Sequence, residues 1–227
     1  GVISYEEKTP LKDLTLDNLF IDIGAKDAEE ARKLVQIGDF AVYEAPRFEQ
    51  NGVLCGPYLD NRIGCVTLLL MMEQLADKEI ENDLYFVFTA QEEVGLRGAG
   101  AAAFAVEPDA AIAVDVTDTG DLPEMKSAMA VELGKGPAVK VMDRSVICTP
   151  AVVDALEQAA KDCGVSAQRE ILLCGGTDTS ALQKARAGVQ AGAVSIPTRY
   201  IHSPSELCAV SDVEDAAKLL AQYALRK

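Results

Sequence analysis

The chain has 227 residues, 49% of them hydrophobic, which is enough for one large domain, or one domain and part of another, with a sizeable buried core. Its 36 acidic residues outnumber 21 basic ones for a formal charge of -15, and that surplus excludes nucleic acid and anionic membranes as partners, since both are polyanions. There is no apolar run of 18 residues and no basic-then-apolar leader, so neither a transmembrane helix nor a signal peptide is expected.

Residues 1–51 read as small, β-rich material with one helix. Short mixed segments such as Leu19–Ile23 and Asp39–Tyr43 alternate with charged links, and Asp27 is placed to cap an amphipathic helix over 27–35. The turn dipeptide Asn51-Gly52 marks the expected boundary. Residues 52–227 then alternate helices and strands. Helices are expected near 61–76, 97–106, 149–163, 178–186 and 211–225, with strands at 83–89, 110–116, 168–174 and 189–196 and an extended piece at 136–143. Strands separated by helices of this length predict an α/β fold, a mostly parallel twisted sheet with helices on both faces.

The six cysteines (Cys55, Cys65, Cys148, Cys163, Cys174, Cys208) form no Cys-x-x-Cys pair and sit mostly among apolar neighbours. That usage fits free thiols in a reducing compartment, with the cytoplasm as the default. Tryptophan is absent and aromatics make up 5% of the chain, a poor supply of the stacking platforms that a sugar-binding site uses.

Chemistry concentrates at the ends of the expected strands. Glu92 and Glu93 follow the apolar run Asp83–Phe88 directly, Asp115 closes Ala110–Val114, and His202, the single histidine, follows Val189–Ile196 across a short link. Open α/β sheets hold ligands at the carboxyl ends of their strands. Asp60 opens a helix after the loop Gly56-Pro57-Tyr58-Leu59. Carboxylates and an imidazole converging there would suit zinc, cobalt or manganese.

Each residue also has a plainer reading. A Glu-Glu pair is common on solvated helix faces, Asp60 serves equally as an N-cap, and a lone histidine is more often a satisfied surface or core residue than a ligand. A hydrolytic site with two divalent ions needs a bridging carboxylate, for which Asp60 is the candidate, terminal ligands, and a general base beside the attacked water. Adjacent glutamates on extended backbone face opposite ways, but a loop freed by Gly95 could aim both at one site, one as ligand and one as base. The turn Gly175-Gly176-Thr177-Asp178 is a candidate substrate-lining element, with a plain left-handed turn and helix cap as the alternative.

Leu-Asp-Asn-Arg at 59–62, Gln-Glu-Glu-Val-Gly-Leu-Arg-Gly-Ala at 91–99, Val-Asp-Val-Thr at 114–117, Gly-Gly-Thr-Asp at 175–178 and Arg-Tyr-Ile-His-Ser-Pro at 199–204 together resemble the tetrahedral (glutamyl or deblocking) aminopeptidases. These dinuclear metallopeptidases are often labelled cellulases or endoglucanases. The resemblance implies an aminopeptidase acting on peptide substrates, with Asp60 as bridging ligand, Glu92 as general base, and Glu93, Asp115 and His202 as terminal ligands. It implies two divalent ions, zinc or cobalt, in the complete protein. It also implies that residues 1–51 end a small inserted β domain that drives homo-oligomerisation, from dimer to dodecamer. The family's further metal-binding histidine, in a His-x-Asp motif, has no counterpart here, and the chain opens on Gly1. By the resemblance this chain therefore lacks the first strands of its catalytic sheet, holds one ion or none, and is nearly inactive alone. The competing expectations are a catalytically silent assembly or metal-binding module, a hydrolase of small N-acyl amino acids, and, ranked low, a glycosidase pairing Glu92 with Asp115.

Overall fold

The computed structural model describes residues 1–123 and 129–226. The chain divides into two compact units, Gly1–Val42 and Tyr43–Lys227. In the first, strands β1 (Val2–Tyr5) and β2 (Leu19–Asp22) pair antiparallel with Val2 opposite Asp22. Helix α1 (Ala28–Leu34) begins at Asp27, whose carboxylate accepts from the N–H groups of Glu29 and Glu30 at 2.8 and 2.9 Å. The expected cap is thus made. No residue of this unit is buried, and Leu16, Ile37 and Phe40 are almost fully exposed.

The second unit carries the main sheet. Its strands are β3 (Phe48–Gln50), β4 (Val53–Gly56), β5 (Ala110–Thr117), β6 (Ala138–Met142), β7 (Gln168–Ile171), β8 (Gln190–Arg199) and β9 (Glu206–Ala209). Interleaved are α2 (Leu59–Leu75), α3 (Arg97–Val106), α4 (Pro150–Asp162), α5 (Thr179–Gln183) and α6 (Val210–Ala224). The order along the sheet is β3-β4-β9-β8-β6-β7, with β5 on β8. Pairs β5–β8 and β6–β7 are parallel, whereas β3–β4, β4–β9, β8–β9 and β6–β8 are antiparallel. The parallel pairs are those connected through helices, as a crossover requires. Asn51-Gly52 turns the β3–β4 hairpin, so it lies inside the second unit rather than where the two units part.

One face of the sheet is packed by α2, α4 and α6, where Ile63, Met71, Leu156, Leu219 and Leu220 meet Val116, Val139, Val194 and Ile196 in a continuous apolar core. Alternation along β5 sends Val114 and Val116 into that core and turns Asp115 and Thr117 to the opposite face. There the apolar packing is slight, Ala103, Ala185 and Val189 with Ala111 and Leu182, and polar groups are buried instead. Lys140 Nζ lies 2.5 Å from Glu170 Oε1, which also accepts from Thr117 Oγ1 at 2.9 Å. A buried cation and carboxylate persist in such a setting only when paired.

The expected strand at 83–89 forms no strand and is not part of the sheet. A strand needs a hydrogen-bonded neighbour, and among the described residues this segment has none. Leu84 and Phe86 lean on the core, while Tyr85, Val87 and Phe88 are exposed, so it is not the buried strand that its hydrophobicity suggested. Nor does β5 have a strand on its other edge among the described residues.

Candidate metal centre

Asp60, Glu93 and His202 come from three distant parts of the chain and meet at one point. His202 Nε2 lies 3.1 Å from Asp60 Oδ2 and 3.5 Å from Glu93 Oε1, and one ligand atom from each of the three lies within 4.8 Å of the others. Local structure explains how each arrives. Tyr58 takes a left-handed φ of 62°, and Asp60 and Asn61 depart from helical geometry, so α2 opens with a kink that swings Asp60 off the helix axis. Asn61 fixes that kink by donating from Nδ2 to the Val114 carbonyl at 2.8 Å and accepting at Oδ1 from the Gly64 N–H at 3.1 Å. Gly64 is obligatory there, because a Cβ would stand 2.2 Å from Asn61 Oδ1 and 2.9 Å from the Val114 carbonyl oxygen.

Glu92 and Glu93 sit in a tight turn rather than on extended backbone. The Glu92 carbonyl accepts from the N–H groups of Gly95 and Leu96 at 3.1 and 2.9 Å, and Gln91 and Gly95 take positive φ of 62° and 120°. In this curl Glu93 stands beside His202, and Glu92 is half-buried and close enough for the charges of Glu93, Asp60 and His202 to act on it. Asp115 is buried on β5, with Oδ1 accepting from the Val116 N–H at 2.9 Å. It lies outside the trio, yet the carboxylates of Asp60 and Glu92 are close enough to act on it.

Burial and mutual repulsion dominate the electrostatics of these carboxyls. Burial, then repulsion from Glu93, raises the Asp60 carboxyl to about 6, against a partial offset from His202. Burial, followed by Glu93, Asp178 and Asp60, raises Glu92 to about 7. Asp115 is raised well above the ordinary range, chiefly by burial. A divalent cation among such groups would replace mutual repulsion with attraction.

The donor set fits a metal in geometry as well. Three ligand atoms about 2.0–2.2 Å from one ion at tetrahedral angles stand roughly 3.4 Å from each other, close to the 3.1 and 3.5 Å separations around His202 Nε2. Imidazole with carboxylates is a donor set for zinc, cobalt or manganese.

Glu206 is a contributor that the sequence reading left without a role. It is buried on β9, and each carboxylate oxygen accepts a backbone N–H from a residue of the trio, Oε2 from Asp60 at 3.0 Å and Oε1 from His202 at 3.0 Å. One side chain thus clamps the backbones of two of the three, and His202 is held at a left-handed φ of 61°. Partners behind metal ligands typically set affinity by 10–100-fold. Glu206→Gln, which keeps one acceptor and loses the other, is expected to weaken zinc binding by about that factor in competition with a chromogenic chelator. An unchanged affinity would mean that the clamp has no bearing on the site.

The turn at 175–178 is tied to the segment ahead of Glu92 through Thr89 Oγ1, which donates to Asp178 Oδ2 at 2.7 Å. Gly175 has φ 72°, and Gly176 packs so closely that a Cβ would lie 2.6 Å from Ser145 Oγ. Ser145 is itself held by Asp143 Oδ1, which accepts from its N–H and hydroxyl at 2.7 and 2.8 Å. Arg199 is engaged by Asp121 and Arg186 by Glu107, whereas Arg97 donates from Nε to the Val94 carbonyl.

An α/β sheet gathering two carboxylates and an imidazole at one point, with a half-buried glutamate beside them, has the layout of a metal-dependent hydrolase. The sequence pattern of the M42 glutamyl aminopeptidases matches residues 3–219, and the chain belongs to that family. It is 48% identical over 223 residues to a putative aminopeptidase of Acetivibrio thermocellus, covering 98% of this chain and 67% of that protein. The fold superposes on the TET aminopeptidase of the Thaumarchaeota archaeon SCGC AB-539-E09 with a TM-score of 0.94 at 35% identity, covering 100% of this chain and 66% of that one. It superposes on the TET1 peptidase of Pyrococcus horikoshii, which can assemble into a tetrahedron or a large octahedral shell, with a TM-score of 0.84 at 34% identity, covering 98% and 64%. The chain spans about two thirds of the length of these relatives.

Proposed function

We propose that this chain is the larger part of a metal-dependent aminopeptidase, in which Asp60, Glu93 and His202 hold a divalent ion and Glu92 is the general base. The observation that carries this reading is the meeting of those three donors at metal-ligand spacing, with Glu92 raised to about 7 alongside. A divalent ion bound there supplies a Lewis acid for the scissile carbonyl and lowers the pKa of water. Glu92 takes the proton from the attacking water and delivers it to the departing amine, and a carboxyl near 7 can both accept and release that proton at neutral pH. The turn Gly175–Asp178 lines the substrate. Asp115, together with Asp60, would hold a second ion.

The second position is the weaker one. The chain contains one histidine, already placed in the trio, so Asp60 and Asp115 are the described residues that would hold a second ion. We therefore expect one firmly held ion per chain and slow turnover unless a further histidine is supplied. One feature extends the proposal to assembly. Residues 1–42 expose Leu16, Ile37 and Phe40, an apolar surface suited to a second copy of the chain. All six cysteines are free, as in a reducing compartment such as the cytoplasm, and no helix among the described residues is long and apolar enough to cross a membrane.

The test is metal content by elemental analysis together with hydrolysis of aminoacyl chromogenic substrates, for the chain as it stands and with a His-x-Asp segment placed ahead of it. The reading predicts about one ion and slow turnover for the first, and two ions with strong activity for the second. Absence of bound metal in both forms would favour a silent assembly module. Cleavage of N-acylated amino acids in preference to free amino termini would favour the amidase.

A further inference from the structure

Arg47 and Arg62 are two cations that the metal reading does not use. Both line a cavity of about 170 Å³ in the second unit, at the loop that leads from β4 into α2. Its floor is apolar, formed by Leu54 and Cys55 of β4 and by Leu59, of which Cys55 and Leu59 are buried. Tyr58 supplies a ring, and the Arg62 guanidinium stacks over it with its carbon 5.4 Å from the centroid. The ring is itself held, since Tyr58 Oη donates to the Tyr43 carbonyl at 3.3 Å. Stacking uses the face of a guanidinium and leaves its N–H edge for hydrogen bonds. Arg47 is placed by its stem. A Cβ on Gly56 would lie 3.3 Å from Arg47 Cγ, so the bare Gly56 backbone lets the arginine lie close against β4.

The two charges are unmatched. The chain carries 36 acidic residues against 21 basic ones, so carboxylates are plentiful, yet neither arginine forms an ion pair among the described residues. None of the eight residues lining the cavity is acidic. Two guanidinium groups beside an apolar floor are complementary to a carboxylate carried on an apolar group, since an arginine fork grips a carboxylate through paired N–H donors. The volume limits the ligand. It falls below the roughly 300–1,000 Å³ of pockets for drug-sized molecules and suits a single residue. A free amino acid fits badly, because its ammonium group would sit beside two positive charges with no acidic group in the lining to meet it. The last residue of a peptide has the carboxylate and the side chain, with a neutral amide in place of the ammonium.

We infer that this cavity binds the C-terminal residue of a peptide, with Arg47 and Arg62 holding the α-carboxylate and Leu54, Cys55 and Leu59 receiving an apolar side chain. None of these residues belongs to the trio around His202, so the pocket can be tested without an ion. Leu59 is nonetheless the chain neighbour of Asp60, which sets the pocket against the turn that carries a metal donor.

The experiment follows binding to the metal-free chain by NMR titration at low ionic strength, with N-acetylleucine, its neutral counterpart N-acetylleucinamide, free leucine and inorganic phosphate as probes. The wild type is expected to bind N-acetylleucine about 10–100-fold more tightly than the amide, the worth of a hydrogen bond to a charged group, and more tightly than leucine or phosphate. Arg47→Gln and Arg62→Gln should each lose about 10-fold in affinity for N-acetylleucine and keep their affinity for the amide. Both arginines are exposed, so neither exchange removes core packing, and the comparison of acid with amide in the wild type needs no variant. Equal affinity for acid and amide overturns the recognition of charge, and full affinity for N-acetylleucine in both variants overturns the pocket. Leucine or phosphate bound as tightly as N-acetylleucine, and lost in the same variants, would make this an amino-acid or inorganic-anion site and overturn the peptide end as its ligand.

Discussion

Glu92→Gln is expected to lower hydrolysis of an aminoacyl chromogenic substrate by about 10²–10⁴-fold, the usual worth of a general base, with zinc content unchanged. The amide is nearly the same size as the carboxylate and keeps the turn in which the Glu92 carbonyl accepts from Gly95 and Leu96, so the fold has no reason to change. What it loses is the ability to take a proton. Glu93→Gln should act differently, because Glu93 faces His202 Nε2 at 3.5 Å, and its loss should appear first as weaker metal binding. A pair of adjacent glutamates divided in this way between proton transfer and ligation is the sharpest statement of the proposed chemistry. Equal zinc loss in both variants, or wild-type turnover in Glu92→Gln, would remove Glu92 from its role.

The metal-free chain should be less stable at pH 8 than at pH 5, and zinc should reverse that order. Asp60 and Glu92 have folded values of about 6 and 7 against ordinary values of 3.8 and 4.5, each raised mainly by burial, and Asp115 moves in the same direction. Between the ordinary and the raised values the folded chain holds more protons than the unfolded one, so stability falls as pH rises through roughly 4 to 7. Asp121 does not interfere, since its window lies lower. Burial pushes it up, but hydrogen bonds from Arg199, Thr119 and the Leu133 N–H outweigh that and hold it at about 2. A bound cation requires the carboxylates ionised, so its stabilisation grows as they deprotonate. Thermal melts at the two pH values, with and without zinc, read this directly. A zinc increment of the same size at both would show that the ion does not bind these groups.

The helices were largely legible because their signals are local. Arg97–Val106 matches the expected span, and Pro150–Asp162 and Val210–Ala224 fall within a residue or so of theirs, since a 3.6-residue apolar stripe identifies itself without reference to the rest of the chain. The strand at 83–89 shows the opposite case. Its composition is that of a buried strand, but strand identity belongs to a pair, and no partner lies beside it among the described residues. Strands β4 and β9 were missed for a related reason. Each is four residues long, and they pair with each other across some 150 positions of sequence, Val53 opposite Ala209, a relation that no local window contains.

The site divides along the same line. Asp60, Glu93 and His202 carried visible signals, a residue type suited to ligation beside a turn or strand end, and the fold brings them together. Asp115 has the expected place on its strand but stands apart from the trio. Glu206 gave no such signal, because Ser203-Pro204-Ser205 reads as loop and a glutamate after a loop reads as solvated. Only its burial, with two backbone N–H groups on its oxygens, reveals the clamp. Asp178 was legible as a turn residue, while its uncapped orientation toward Thr89 was not.

Zinc soaked into crystals of the chain and located by anomalous scattering would test the arrangement most directly. A peak about 2.0–2.2 Å from Asp60 Oδ2, Glu93 Oε1 and His202 Nε2, absent in His202→Ala, is the predicted result. A peak elsewhere, or none at saturating zinc, would contradict the metal centre and with it the proposed hydrolysis.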